Sequence, residues 1–269
     1  FTKVSEEFNS LESLNTFEES VKNHPLYNEF KQIIEDAKAV VSSKEIVATE
    51  ATMRQASYVA NEKYNDLYRM SYENIQSISN NGGHYASQKI EYAVDGDLSS
   101  YWETSKGNNS TFNNEVEVTF KNSVKLDRIV YAPRQSDLKG FATKVEIYAS
   151  TTSKGDTYQL VATGAYNKVS GFVEAKFNET EFKRIKFKFK KSDQNSATLN
   201  EIMFYKSDEV WNSVDSLFTD GTMSAISDKF NGLNEISALE ETAKTHPLYE
   251  SKFKEIIDLA KEVLRSEER

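Results

Sequence analysis

The sequence has no cysteine. That removes disulfides, thiol nucleophiles and thiolate zinc sites together, although it does not fix a compartment. Histidine is scarce as well, with three in 269 residues. His24 and His246 each precede a proline and His84 follows two glycines, so no pair has the spacing of a metallopeptidase helix. Neither a Gly-x-x-x-x-Gly-Lys phosphate loop nor a Gly-x-Ser-x-Gly elbow occurs. No run of about 18 apolar residues is present, so no membrane span is expected. No signal peptide opens the chain, and it starts on Phe1 rather than Met, which predicts a piece of a longer protein. Cations are in deficit: 33 Lys and Arg face 42 Asp and Glu, a net charge of −9. That sign argues against nucleic acid as a partner. Acids are plentiful, so counting alone leaves a carboxylate pair open. The missing inventory as a whole predicts a segment without a complete active site.

Aromatic residues make up 12% of the chain, enough to build a core rather than a disordered acidic tail. The length suits one large domain or two modest ones. The ends carry an internal repeat. Residues 4–41 and 226–264 share Phe8 with Phe230, Leu11 with Leu233, and the word HPLY at His24 and His246, an offset of 222. One inserted residue then shifts the register, so Phe30 answers Phe253 and Ile33 answers Ile256. Ile33, Ile34, Ala37, Val40 and Val41 fall on one helix face. Each copy therefore reads as two helices broken at His-Pro, where proline suits the first helical turn. Both histidines read as helix-entry residues rather than catalytic ones. Ile46, Met53, Tyr58, Tyr64, Leu67 and Met70 suggest a third, long helix after the first copy, and three helices can close a small core. The second copy stops at Arg269, before its third helix. The expected organisation is a three-helix unit over 1–72, a β-sandwich over 73–207, and a partial second helical unit over 208–269. That partial unit is expected to be less stable than the first, because two helices leave an apolar face uncovered. Docking on the sandwich or on a neighbouring chain is the alternative.

Between about 75 and 206 the hydrophobic period changes from 3.6 to 2. Val116, Val118 and Phe120 alternate with polar residues, as do Val145, Ile147 and Ala149. Ile185, Phe187 and Phe189 alternate with Lys186, Lys188 and Lys190. Ile202 and Phe204 close the set. Short strands with polar turns read as an antiparallel sandwich. The lysine row reads as the wet face of one strand rather than a basic patch. Within this stretch, YAVDGDLSSYWET (92–104) gathers Asp95, Gly96, Asp97 and Ser100. Carboxylates around a sharp glycine turn suit a hard cation. An Asx turn with no ion explains the same residues. Trp102 is expected to pack inward.

The order and spacing of AVDGDLSSYWET (93–104), LDRIVYAPRQ (126–135), VEIYAST (145–151), FKRIKFKF (182–189) and ATLNEIMFY (197–205) carry a resemblance. The middle domain resembles the discoidin, or coagulation-factor C-type, jelly roll, and within it the family 32 carbohydrate-binding modules of secreted bacterial enzymes. LDRIVYAPRQ together with the HPLY helices is similar to accessory regions of enhancin-like family 60 metallopeptidases, which cleave mucin-type glycoproteins. The resemblance implies a central all-β sandwich flanked by helical segments, in a secreted or cell-surface bacterial protein. It implies a structural Ca2+, with Na+ able to take its place, on the Tyr92 carbonyl, Asp95, Asp97, Ser100, the Asn200 carbonyl and Glu201. The implied partners are glycans or glycoproteins such as mucins, bound weakly, and neighbouring modules of the same chain.

The galactose set of that family is mostly missing. A histidine often follows the motif tryptophan and an aromatic often comes three residues later; Glu103 and Lys106 stand there. Ser196 stands where an aromatic often precedes the final Ala-x-Leu, and Lys139 stands nearest a frequent loop asparagine. Arg134 is kept. Plain galactose should therefore bind in the millimolar range at best, about −4 kcal/mol. Three readings stay open: an acidic or aminated glycan held by Arg134, Lys106, Lys139 and Glu103; a site using His84, Tyr85 or Phe141; or a spacer or protein-interaction unit that binds no sugar. An aromatic side chain exposed beside Arg134 separates the first two from the third. For Arg134 itself the competing role is a salt bridge to Asp137.

Overall fold

The structure is a computed structural model that describes residues 11–42, 48–155, 157–217 and 232–267. Phe8, Phe230 and Ile46 lie outside the described residues. The centre is a jelly-roll sandwich of open sheets, held together by two long strands, β5 (Glu115–Ala132) and β8 (Val173–Ser192). They pair along both halves of their length, 115–119 with 184–188 and 124–131 with 173–182. The front sheet adds β3 (Ile75–Asn80) beside β5, and β6 (Ala142–Ser150) and β7 (Gln159–Ala165) beside β8. The back sheet adds β10 (Glu201–Tyr205) beside β5. A short pair, β4 (Trp102–Glu103) and β9 (Thr198–Leu199), stands apart. One core fills the space between the sheets, built from the alternating residues Val116, Val118, Phe120, Val145, Ile147, Ile185, Phe187 and Phe189 with Trp102, Ile202 and Phe204.

The long helix expected over residues 46–70 is not formed. Residues 49–55 become β1 (Thr49–Glu50), parallel to β7, and β2 (Thr52–Gln55), antiparallel to β8. Threonines suit strands, and both partner strands would otherwise present open edges. Met53 then packs on the sandwich, closely enough that a Cβ on Gly164 would meet its Cγ at 2.6 Å. Tyr58 sits in a 3-10 turn (Ser57–Ala60), and Tyr64 in the single short helix of this stretch, α3 (Glu62–Tyr68). Leu67, assigned to the helix core by periodicity, is exposed.

A second core lies on the back sheet's outer face. Val130, Met203 and Tyr205 point outward from their strands into a cluster with Tyr58, Tyr64 and Trp211. The last strand leads into α4 (Glu209–Asp215), capped by Asp208, whose carboxylate accepts the Trp211 N–H at 3.0 Å. The cluster continues into the second helical hairpin, α5 (Leu233–Ala243) and α6 (Lys254–Glu267), through Ile236, Leu248, Phe253, Ile257 and Leu264. The partial copy is therefore docked on the sandwich.

The first hairpin, α1 (Leu11–Val21) and α2 (Tyr27–Ser42), buries Leu14, Ile34 and Ala37. The two hairpins share their internal bonds. At the His-Pro turn, ahead of the second helix, the Leu26 N–H donates to His24 Nδ1 at 3.2 Å and the Leu248 N–H to His246 Nδ1 at 3.1 Å. Tyr27 and Lys38 donate to Glu18 at 2.6 and 2.5 Å. Tyr249 and Lys261 donate to Glu240 at 3.2 and 2.6 Å. The extra residue of the second copy is taken up by a π turn, Tyr249–Phe253.

Candidate functional site

Loops from four parts of the sandwich close around a hollow of about 500 Å³, lined among others by Tyr85, Tyr101, Glu103, Arg134, Lys139 and Asn195. The loop before β4 is laid tightly over that strand. Trp102 Nε1 donates to the Gly83 carbonyl at 3.0 Å, and the Tyr85 N–H donates to the Glu103 carbonyl at 2.8 Å. Any side chain at position 82 is excluded, since a Cβ there would stand 2.0 Å from Asn114 Oδ1. Trp102 is wholly buried, as expected. Tyr85 is 61% exposed at the rim. The loop after β5 brings Arg134 and Lys139 to the other side. It turns through Gly140 at φ 72°, where a Cβ would meet the Thr198 nitrogen at 2.8 Å.

The Glu103 carboxylate is buried between the two cations. Lys139 Nζ donates to it at 2.7 Å and Arg134 Nη1 at 3.3 Å. That hydrogen bond holds the Lys139 ammonium above its usual range. Arg134 is fixed on its other side by Ser136 at 3.1 Å and Asp137 at 3.3 Å, and its guanidinium lies 4.6 Å from the Tyr101 ring centroid. The arginine thus makes the expected Asp137 bridge and lines the hollow as well. What results is a rigid, nearly charge-balanced set of donors and acceptors beside an exposed aromatic face, the chemistry that holds a sugar ring.

Of the sequence-predicted sugar residues, Arg134, Glu103, Lys139 and Tyr85 come together here. Lys106 does not: its ammonium lies over the Phe112 ring at 3.5 Å from the centroid. His84 is not among the lining residues either, since its Nδ1 is engaged with the Ala86 carbonyl at 2.8 Å. Phe141 is fully buried in the core. Tyr101 went unread, although its place beside the motif tryptophan marks it. Gln194 and Asn195 also went unread, and both line the hollow from left-handed backbone at φ 53°.

The acidic loop closes on the last strand. Glu201 accepts the Gly96 N–H at 2.6 Å and also the Tyr72 hydroxyl. Asp95 accepts the Asp97 N–H at 2.8 Å and the Ser100 hydroxyl at 2.8 Å. Ser100 Oγ stands 3.5 Å from the Tyr92 carbonyl oxygen. Asn200 donates to the Leu98 carbonyl at 2.6 Å, while its Oδ1 is buried with no partner. The Glu201 carboxyl is pushed up to about 7, because burial, with neighbouring Asp95 adding to it, outweighs the hydrogen bonds from Tyr72 and Gly96 that lower it. Asp97 stands apart, its carboxylate taken up by Ser99 at 2.8 and 2.7 Å. Among the described residues no group of three or more His, Cys, Asp or Glu side chains is placed to hold a metal. The donors gathered here are instead two carboxylates, a hydroxyl and carbonyls. Oxygen donors of this kind with an orphaned buried oxygen fit a hard cation.

Residues 74–203 match the F5/8 type C domain. No curated protein matches the chain. A structure of the CBM32-1, CBM32-2 and M60 catalytic domains of ZmpB from Clostridium perfringens is 59% identical, covering 97% of this chain and 27% of its own, with a TM-score of 0.78. A structure of the CBM32-1 and CBM32-2 domains of that protein is 60% identical over 76% of this chain and 52% of its own, TM-score 0.61. The same two domains in complex with GalNAc match at 60%, over 76% and 51%, TM-score 0.60. The chain thus spans between about a quarter and about half of these relatives. It resembles a binding module, not a catalytic domain. Residues 74–203 belong to the F5/8 type C family, discoidin-like sandwiches of the kind used as family 32 carbohydrate-binding modules.

Proposed function

We propose that this segment holds N-acetylgalactosamine-type sugars in the hollow between Tyr85 and Arg134. It would thereby keep a catalytic domain of a multimodular extracellular protein close to glycoproteins such as mucins. The observation that carries the reading is the exposed Tyr85 ring across from a fixed Arg134–Glu103–Lys139 set. The GalNAc complex of a 60% identical relative supports the sugar. Arg134 offers a rigid fork of donors for ring hydroxyls, Glu103 accepts, and Tyr85 covers an apolar sugar face.

Calorimetric titration with GalNAc tests it. Binding is expected in the millimolar range, about −4 kcal/mol, and stronger than for galactose. Arg134→Ala should cost about 1.5–3 kcal/mol, the loss of a charged hydrogen bond, and Tyr85→Ala should weaken binding too. A null glycan array would favour the spacer reading, and normal binding by both variants would place the sugar site elsewhere on the loops.

A Ca2+ ion, or Na+ in its stead, is proposed for the acidic loop. Asp95, Ser100, Glu201 and the Tyr92 and Asn200 carbonyls would hold it, and it would pin the loop to the last strand while balancing two converging carboxylates. Calcium at about a hundredfold over its Kd should add about 2.7 kcal/mol of stability. No calcium binding by calorimetry and an unchanged melting temperature in chelator refute the Ca2+ assignment, and a crystal structure distinguishes Na+.

A further inference from the structure

The two helical hairpins bond alike inside, so their outer faces compare position by position. In the second, Leu248 is 3% exposed and Ile256 is partly buried against the cluster around Trp211. His246 Nε2 donates to Asp208 at 2.8 Å, the proton sitting there because Nδ1 accepts from Leu248. In the first, the counterparts of Leu248, Ile256 and His246 are exposed: Leu26 at 44%, Ile33 at 57%, and His24. Exposed aliphatic residues on one face mark a docking surface. The second copy shows what kind of surface such a face takes: the back of a sandwich lined by Tyr58, Tyr64 and Trp211, with an acid for the histidine. In this chain that surface is already filled by residues 233–267.

We propose that the face bearing Leu26 and Ile33 docks on the aromatic back of a second F5/8 type C module. His24 donates there to that module's counterpart of Asp208. The hairpin is thus a coupling between consecutive modules, seated on one and leading into the next.

An exchange within the full chain tests this. Residues 233–265 are replaced by residues 11–42, so that the first hairpin is offered the surface its equivalent occupies. The expected chimera is a monomer whose Trp211 fluorescence stays as blue as in the parent. Leu26→Asp in the transplanted copy should then lower its melting temperature by several degrees. The same change at the original position should leave the parent's melting unchanged. If Trp211 becomes exposed, Glu29→Lys is added to the chimera, because Lys252 lies over Trp211 at 4.1 Å and Glu29 takes its place. Exposure that persists in that variant overturns the proposal. So does dimerisation of the parent chain that Leu26→Asp abolishes, which would assign the face to self-association.

Discussion

The two sheets of the sandwich meet their surroundings in opposite ways. The front sheet turns Lys186, Lys188 and Lys190 to water and pairs them across strands, with Glu115 at 3.4 and 3.1 Å and with Glu146 at 3.1 Å. The back sheet turns Arg128 into a dry layer. Its guanidinium is wholly buried, donating to Asp127 at 2.8 and 3.2 Å and to the Tyr64 hydroxyl at 2.6 Å. Like residue types thus face different solvents. A cation over water adds little, whereas a cation under helices is committed to its partners.

The sharpest test of that contrast is Arg128→Ala. It strands the buried Asp127 carboxylate and should cost about 3–5 kcal/mol, read as a fall in the melting temperature. A loss under about 1 kcal/mol would show that the helical layer is wetter than its packing indicates.

A middle-sized effect should come from acid. Burial pushes the Asp215 carboxyl up, but Arg54 and Lys176 outweigh it and hold it below the usual range. Arg54 Nη1 stands 2.5 Å and Lys176 Nζ 2.9 Å from that carboxylate, joining α4 to β2 and β8. A depressed folded pKa means stability that is complete above the unfolded value, about 3.9, and is lost as pH falls through the folded one. Below about pH 4 the helical layer should loosen before the front sheet does, read by Trp211 fluorescence against amide exchange in β6. Asp215→Asn should flatten that dependence.

The smallest effect belongs to the front sheet. Lys188→Ala removes one half-buried partner of Glu115 and should change stability by about 0–1 kcal/mol, less in high salt. A larger loss would place this face in a contact of its own.

The same contrast explains what the sequence disclosed. Strict alternation in KFKFK told both the strand and its wet face. In RIVYA (128–132) and EIMFY (201–205) every residue is buried, and such unbroken runs are the mark of a sheet covered on both sides. The resemblance set the fold, but the covering layer had to be read from those runs. The stretch 48–70 misled because Met53, Tyr58, Tyr64 and Met70 are apolar at near-helical intervals while serving two different cores. At the hollow, the arginine word pointed to Arg134. Tyr85 is one of three loop candidates with His84 and Phe141, and only loop geometry, which the order of residues does not display, separates it from them.

The π turn at Tyr249–Phe253 has a genetic consequence. One added residue in an α-helix swings everything beyond it by about 100°, enough to turn Ile257 and Leu264 away from the sandwich. Here the wider turn swallows the addition, and both residues stay buried. A single-codon insertion at this point is therefore nearly silent for the interface, while the same insertion inside α6 would not be. Duplicated hairpins of this design can drift in length after the HPLY word and still seat on their module.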